Sequence, residues 1–383
     1  MFEALLLVGI VVAVFVGFNI GGSSTGVAFG PAVGSGTISK LAAAGLMTGF
    51  ALLGGWTVGR NVVATMGGDI VPSSQFTLAA SVAVLFFVGL ALLVSNLFGV
   101  PASTSMTAVG AIAGLGVATG TIDWGVMGRI VSWWLVAPIV AFWVCAVVGR
   151  YLYPYLDTFL RLESPGDEVT LRERVGAVLV VVIACYMAFS AGASNVANAV
   201  APLVGSGAIG IEAGVLVAGG AIGLGAFTIA RRTLDTVGND LTDLPLTAAL
   251  VVEVISASLI TFLSYIGIPA SLAVSATMCI VGLGWGRATR TTTISQAASA
   301  AVRGDSEPGA GPGLSFDPVV TDGRGGAPRM RDVPRIGEED PAALTAGDLF
   351  DPQATGRVVL LWVLTPTISA VAAYLVFRFL PVF

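Results

Sequence analysis

The sequence of 383 residues has no histidine, a single lysine (Lys40), three cysteines and few charges of either sign. Without histidine the chain lacks the side chain that most often acts as a general acid or base, which argues against an enzyme. Its formal net charge of -5 argues against a nucleic acid partner. Cys145, Cys185 and Cys279 lie in apolar segments without ligand-like spacing, so they do not predict a metal site.

Apolar runs dominate what is present: hydrophobic residues make up 55% of the chain and charged residues 11%, with a mean hydropathy of +0.91. A run such as residues 76–98 is long enough to cross a ~30 Å hydrocarbon layer, which takes about 20 helical residues. Counting such runs predicts about ten membrane segments. We therefore expect an all-α polytopic protein of the cell membrane, in contact with the lipid bilayer. Trp133 and Trp134 are interpreted as anchors at the membrane interface.

The two halves of the chain repeat each other. FNIGGSSTGVAFGPAVGSGTI (residues 18–38) aligns without gaps to FSAGASNVANAVAPLVGSGAI (residues 189–209), with a constant shift of 192 − 21 = 171. A Pro-Ala-Ser segment follows in each half, at residues 101–103 and 269–271, with a shift of 269 − 101 = 168. The first shift also aligns Thr57, Arg60, Thr65, Gly67 and Asp69 with Thr228, Arg231, Thr236, Gly238 and Asp240.

The repeat and the polar stretches divide the chain into five parts. Residues 1–150 form the first membrane half, 151–174 a polar linker and 175–286 the second membrane half. Residues 287–357 are rich in Pro, Gly and charge, and we expect them to be disordered because they cannot bury enough apolar area. Residues 358–383 return to the membrane as a C-terminal helix. Arginines cluster in both linkers, which favours a cytoplasmic location for them.

Apolar segments interrupted by Gly and Pro at matching positions of two halves are typical of a transporter site near the bilayer midplane. Interrupted helices are tolerated there because their backbone groups line a wet cavity or are buried in protein. A helix N-terminus opened in this way offers unpaired N–H donors and the positive end of a dipole, which suits an anion. We therefore predict a helix break at each motif and an anion site between the two breaks.

The predicted substrate ligands are neutral donors from both halves. They are Ser23, Ser24, Thr25 and Ser35 in the first motif, Ser103, Thr104 and Ser105 after the first Pro-Ala, Ser194, Asn195, Asn198 and Ser206 in the second motif, and Ser271 after the second Pro-Ala. The alternative is that the small residues only let helices pack closely, as in Gly-x-x-x-Gly interfaces. Duplication of the motif together with its polar residues favours a site.

Glu253 lies in the apolar run 246–266 and is the candidate for carrying a coupling proton, because ionisable residues inside a membrane are costly and functional by default. The alternatives are an ion pair with an arginine or a place near a helix end. Arg60 and Asp69 are interpreted as structural, in ion pairs or helix caps. No nucleotide-binding Gly-x-x-x-x-Gly-Lys-Ser/Thr loop is present, so we expect no cofactor and an ion gradient or the substrate's own gradient as the driving force.

In its motifs the chain resembles the inorganic phosphate transporter (PiT) family, whose signature in each half is Gly-Ala-Asn-Asp-x-Ala-Asn-Ala followed by a Gly-Ser-Gly turn. Residues 192–199 (GASNVANA) match closely and residues 21–28 more loosely, and residues 101–105 are similar to the family's Pro-x-Ser-Thr-Thr-His segment. The resemblance covers nearly the whole chain. It implies an all-α fold of two inverted halves and a secondary transporter that moves phosphate or sulfate by alternating access. An uncoupled anion channel built from the same repeat is the alternative.

The chain departs from the family at its acidic and histidine positions. Ser24 and Asn195 stand where the family has Asp, and Met106 and Val274 where it has His. The family's acids are implicated in cation and phosphate binding, so both Na⁺ and H⁺ stay open as the coupling ion. Sulfate has no proton to offer and needs donors only, whereas hydrogen phosphate also benefits from an acceptor. The substitutions therefore favour sulfate, with phosphate as the alternative, and a homodimer is left open.

Overall fold

The computed structural model describes residues 2–97, 103–160, 171–229, 245–291 and 352–380. Every regular element in these ranges is helical, which confirms the all-α prediction. The α-helices are α1 (Phe2–Gly34), α2 (Lys40–Thr57), α3 (Gly59–Ala64), α4 (Leu78–Leu97), α5 (Thr104–Thr119), α6 (Trp124–Val147), α7 (Tyr153–Leu160), α8 (Leu171–Gly205), α9 (Ile211–Thr228), α10 (Leu246–Tyr265), α11 (Leu272–Ala288) and α12 (Pro352–Phe379). Two π-helical turns, Thr65–Asp69 and Val148–Leu152, continue α3 and α6.

The chain is a multi-pass membrane protein. Six spans are long and apolar enough to cross a membrane, or seven if α2 and α3, which meet at a 60° bend, form one span. Shorter apolar helices at Leu78–Leu93, Thr104–Thr119 and Leu272–Ala288 accompany them. On α6, Leu135 and Ile139 are more than half exposed, as lipid-facing side chains are. The final apolar run lies in α12, whose part Trp362–Phe379 is one of the six spans.

Both glycine-rich motifs lie inside continuous helices. α1 runs through the first motif to Gly34, and α8 runs through the second to Gly205. The chain turns only at the Gly-Ser-Gly ends of the motifs, at Gly36 and Gly207, whose φ angles of 71° and 72° suit glycine. The prediction of a helix break at each motif is therefore wrong. Described helix interruptions occur instead at the α2–α3 bend and in front of α5 and α11.

The motif glycines permit close helix contacts between the halves, and these contacts are reciprocal. A Cβ at Gly21 on α1 would overlap the Ile222 carbonyl on α9, and a Cβ at the matching Gly192 on α8 would overlap the matching Ala51 carbonyl on α2. Close packing therefore explains why small residues continue these helices without breaking them. A second reciprocal set joins Gly54 with Phe189 and Gly225 with Phe18.

α2 and α9 occupy matching places in the two halves and run antiparallel where they touch. A Cβ at Gly219 would meet Leu52, and a Cβ at Gly223 would meet Thr48, so residue numbers rise on one helix as they fall on the other. Matching helices in mutual contact lie beside the axis that relates the two halves.

An ion pair joins α3, which follows α2, to the first turn of α9. Arg60 Nη2 lies 3.5 Å from Glu212 Oε1, and the guanidinium carbon of Arg60 is 4.6 Å from the centre of the Trp56 ring. The structural interpretation of Arg60 is thereby confirmed. Such a half-exposed pair contributes little to stability, on the order of 0–1 kcal/mol.

The linkers are described only in part. Residues 151–174 were expected to form a polar linker, but α7 occupies Tyr153–Leu160 and α8 already begins at Leu171. The predicted disordered segment, 287–357, lies for its greater part (292–351) outside the described residues, and so do Arg231 and Asp240.

Candidate functional site

Each Pro-Ala-Ser segment leads into a helix whose N-terminus is buried. Ser103 Oγ accepts a hydrogen bond from the Met106 N–H (3.3 Å), and Ser271 Oγ accepts one from the Val274 N–H (3.4 Å). The two serines are the N-caps of α5 and α11 and are only 1% and 8% exposed. Thr104 is half-buried in the first turn of α5. Two positive helix ends therefore open inside the protein, in matching places of the two halves.

Ser105, Ser194, Asn195 and Asn198 form a buried, hydrogen-bonded group, here called the polar cluster. Asn198 Nδ2 donates to Ser105 Oγ (3.0 Å) and to Asn195 Oδ1 (3.1 Å), and the Oγ atoms of Ser105 and Ser194 are 3.4 Å apart. Ser194 Oγ also donates to the carbonyl of Ala270, which precedes the α11 N-cap (2.7 Å). α8 thus carries its motif between the N-termini of α5 and α11.

The polar cluster is neutral and keeps some of its hydrogen-bonding capacity unused. Asn198 is fully buried, and its Oδ1 has no hydrogen-bond partner among the described residues. Pro202, which lies inside α8, has no N–H to give to the Asn198 carbonyl. Asn195 Nδ2 donates to no atom of the described chain. The cluster therefore offers a ligand an amide donor and oxygen acceptors without a competing charge.

The hydroxyls of the first motif do not join this cluster. Ser23 Oγ donates to the Asn19 carbonyl (3.2 Å), and Thr25 Oγ1 donates to the Gly21 carbonyl (2.6 Å). Both hydroxyls are thus satisfied within their own helix, as serine and threonine often are. Ser24 is half-buried and has no hydrogen-bond partner in the described part of the chain.

The serines of the two Gly-Ser-Gly turns also bond locally. Ser35 Oγ donates to the Ala32 carbonyl (3.3 Å) and Ser206 Oγ to the Leu203 carbonyl (2.7 Å). They close the turns after α1 and α8. The structure therefore joins Ser105, Ser194, Asn195 and Asn198, with Ser103 and Ser271 as caps beside them, but leaves Ser23, Thr25, Ser35 and Ser206 in local bonds.

Glu253 lies in the middle of α10 and is only 4% exposed. Neither of its carboxylate oxygens has a hydrogen-bond partner within the described residues, so the predicted alternatives of an arginine pair or a helix-end position do not describe it there. α10 packs against α8, where Ser190 Oγ donates to the Ala257 carbonyl (3.0 Å). An isolated carboxyl group in such surroundings favours its neutral form.

Two buried polar residues near the candidate site were missed in the sequence. Asn19 and Ser190 are a matched pair, 190 − 19 = 171, at the second position of each motif, so the repeat itself could have revealed them. Trp134, interpreted above as an anchor at the membrane interface, is half-buried, and its indole N–H donates to the Pro269 carbonyl (2.8 Å) just before α11.

Comparison with known proteins gives consistent results. The model of the Phosphate transporter family matches residues 20–303. The sulfate permease CysP of Bacillus subtilis is 31% identical over 279 residues, which cover 73% of this chain and 77% of that protein. A putative phosphate permease of Haemophilus influenzae is 24% identical over 360 residues, covering 71% of this chain and 86% of that protein.

Among solved structures, a sodium-dependent phosphate transporter has the same fold. It superposes with a TM-score of 0.65 over 98% of this chain and 100% of its own, at 18% sequence identity.

Proposed function

Because the chain belongs to the phosphate transporter family, we propose that it is a secondary transporter that carries a tetrahedral inorganic oxyanion across the cell membrane. The observation that carries the proposal is the neutral polar cluster between two buried helix N-termini. Helix N-termini and neutral N–H and O–H donors stabilise an anion without a competing carboxylate. The names of the similar permeases supply the two candidate substrates, sulfate and phosphate.

Sulfate is the first candidate. Asn195 occupies the place of a motif Asp, and its unused Nδ2 is a donor where a carboxylate would be an acceptor. A carboxylate would also repel a dianion unless a cation or a proton lay between them. The more similar of the two permeases described above is a sulfate permease, at 31% identity.

Phosphate is the second candidate, and one observation favours it. Asn198 Oδ1 is a buried acceptor without a partner among the described residues. Hydrogen phosphate can donate its proton to such an oxygen, whereas sulfate cannot. A site that uses this bond would favour phosphate by the free energy otherwise lost on an unpaired buried acceptor, about 1–3 kcal/mol.

For coupling we propose a proton carried by Glu253, in preference to Na⁺. A buried carboxyl group without polar partners is stable when protonated and costly when ionised. We therefore expect Glu253 to release its proton only when its surroundings change.

We further infer that the two halves are inverted and that transport proceeds by alternating access. The antiparallel contact of the matching helices α2 and α9 supports opposite directions of the halves. The reciprocal contacts of α1 with α9 and of α8 with α2 support a two-fold relation between them. Repeats of this kind rock about a site between them and expose it to each side in turn.

The proposed function is tested by uptake of radiolabelled sulfate and phosphate into proteoliposomes, with and without an inward proton or sodium gradient. We expect saturable sulfate uptake that rises with the proton gradient and collapses with an uncoupler. Uptake that is linear in concentration and indifferent to both gradients would instead support a channel. A protein that moves neither anion under any gradient contradicts the proposal.

A further inference from the structure

Four large apolar side chains meet between the two halves, and we call this group the axial cluster. It consists of Met106 on α5, Val274 on α11, Trp362 on α12 and Trp134 on α6. Met106, Val274 and Trp362 are buried, with 7%, 4% and 8% of their surface exposed, and Trp134 packs against them. Its three buried members lie outside the main apolar core of the protein, and Trp134 packs against both.

The axial cluster is made of two repeat-matched pairs. Met106 and Val274 differ by the shift of the Pro-Ala-Ser segments, 274 − 106 = 168, and Trp134 and Trp362 differ by 362 − 134 = 228. Matched residues from two halves that share one cluster lie beside the axis relating the halves.

The shift of 228 between Trp134 and Trp362 is supported by the packing of α6 and α12. A Cβ at Gly114 on α5 would overlap the Ala370 carbonyl on α12, and a Cβ at the matching Gly282 on α11 would overlap the Phe142 carbonyl on α6, with 370 − 142 = 228. Each short helix therefore packs against the last helix of the opposite half. α6 and α12 form a further matched pair.

The axial cluster lies directly beside the polar cluster. Met106 follows Ser105 in α5, and its N–H is held by the α5 N-cap. Val274 takes the same place on α11, with its N–H held by Ser271. The polar cluster therefore borders, through Ser105 and Met106, on the apolar side chains of the axial cluster.

The two tryptophans are held differently. The indole N–H of Trp134 donates to the Pro269 carbonyl (2.8 Å). The indole N–H of Trp362 is buried and has no hydrogen-bond partner in the described ranges. An unpaired buried donor costs free energy, whereas the hydrogen bond of Trp134 stabilises its position. Trp362 is therefore held less firmly than Trp134.

We propose that the axial cluster is a hydrophobic gate on one side of the oxyanion site, with Trp362 as its moving side chain. This inference rests on the proposed transport function. Closed, the four side chains leave an apolar passage that water and a hydrated anion do not enter, because apolar constrictions dewet. Moving Trp362 away opens the passage, and its indole N–H becomes a donor for the passing anion.

The gate is tested by the leak of radiolabelled sulfate from preloaded proteoliposomes in the absence of any ion gradient. Trp362→Ala and Met106→Ala remove the side-chain volume that closes the passage. We expect each to raise passive efflux about tenfold, because the smaller side chain lowers the free-energy barrier to passage of the anion. Trp362→Phe keeps most of the bulk and should stay as tight as the wild type. Ile112→Ala, a buried truncation on α5 in the main core, is the matched control and should not leak.

Wild-type tightness in both Trp362→Ala and Met106→Ala overturns the gate, as does an equal leak in Ile112→Ala. Val274→Ala removes less volume and replaces either variant if that variant is not recovered folded from the membrane. The proposed function fails separately: in that case the wild-type protein itself accumulates neither sulfate nor phosphate, whatever the variants do.

Discussion

Asn198 is the most deeply buried amide of the candidate site, and its Nδ2 is committed to Ser105 and Asn195. The bond to Asn195 occupies its Oδ1 and leaves its Nδ2 without a partner in the described chain. The side chains are short, and the motif lies on a single rigid helix, so their positions are fixed before a ligand arrives. Preorganised neutral donors of this kind bind an anion with little loss of conformational entropy.

Ser194 and Ser23 are repeat-matched serines with different surroundings, which makes them a sensitive pair of variants. Ser194→Ala removes the bond to the Ala270 carbonyl and the contact with Ser105, so we expect sulfate uptake to fall about tenfold or more, as the loss of a bond of 1–3 kcal/mol predicts. Ser23→Ala removes only bonds within α1 and should leave uptake near wild type. The measurement is the initial rate of uptake in proteoliposomes, normalised to the amount of reconstituted protein. Equal losses of uptake in the two variants would contradict a site that the second motif forms without the first.

Glu253→Gln tests proton coupling at the residue scale, because it keeps the shape of the side chain and removes the titratable proton. We expect exchange of external labelled sulfate for internal sulfate to persist, while accumulation driven by an inward proton gradient is lost. Glu212→Gln, on an exposed carboxylate paired with Arg60, is the control and should retain gradient-driven accumulation. Accumulation that is unchanged in Glu253→Gln would exclude this residue as the proton carrier.

At the scale of helices, the small residues of the motifs have two roles. Gly21 and Gly192 allow reciprocal close contacts, whereas Ser194 and Asn195, on the same stretch of α8, form part of the polar cluster. Sequence repetition alone predicts both roles at every matched position. The first motif does not contribute to the polar cluster, because the hydroxyl groups of α1 donate to carbonyls of their own helix. The sequence alone does not determine which of these hydrogen bonds forms.

Glycine substitutions on α2 and α9 test the helix contacts. Gly54→Ala and Gly225→Ala place a Cβ against a backbone carbonyl of the opposite half, and we expect each to destabilise the protein by about 1–3 kcal/mol. Gly49→Ala and Gly220→Ala, matched positions with open space around them, should be neutral or slightly stabilising. Thermal unfolding in detergent gives the comparison, and similar midpoints for all four variants would contradict the reciprocal packing.

The helices, the polar residues of the second motif and the starts of α5 and α11 were predictable from hydropathy, the repeat and the Pro-Ala-Ser segments. The absence of breaks at the motifs was not, because Gly, Ala and Ser continue a helix when neighbouring helices pack tightly against them. The match of Trp134 with Trp362 was not predicted either, since it needs a shift of 228 in place of 171 or 168 and the two residues lie far apart in the chain.

At the scale of the whole molecule, the halves exchange their partners: α1 packs on α9, α8 on α2, α5 on α12 and α11 on α6. This arrangement places the second motif between a helix N-terminus from each half. Movement of one half against the other therefore changes the surroundings of the polar cluster directly. In the proposed transport cycle, binding and alternating access would therefore be linked through the same helix ends.

The most direct test of the account is equilibrium binding of radiolabelled sulfate to the purified protein, compared with the Asn195→Ala/Asn198→Ala double variant. The account predicts saturable binding to the wild type that unlabelled sulfate displaces, and an affinity at least about tenfold weaker in the variant, as loss of bonds worth 1.4 kcal/mol or more requires. Equal affinity of a folded double variant and the wild type would contradict it.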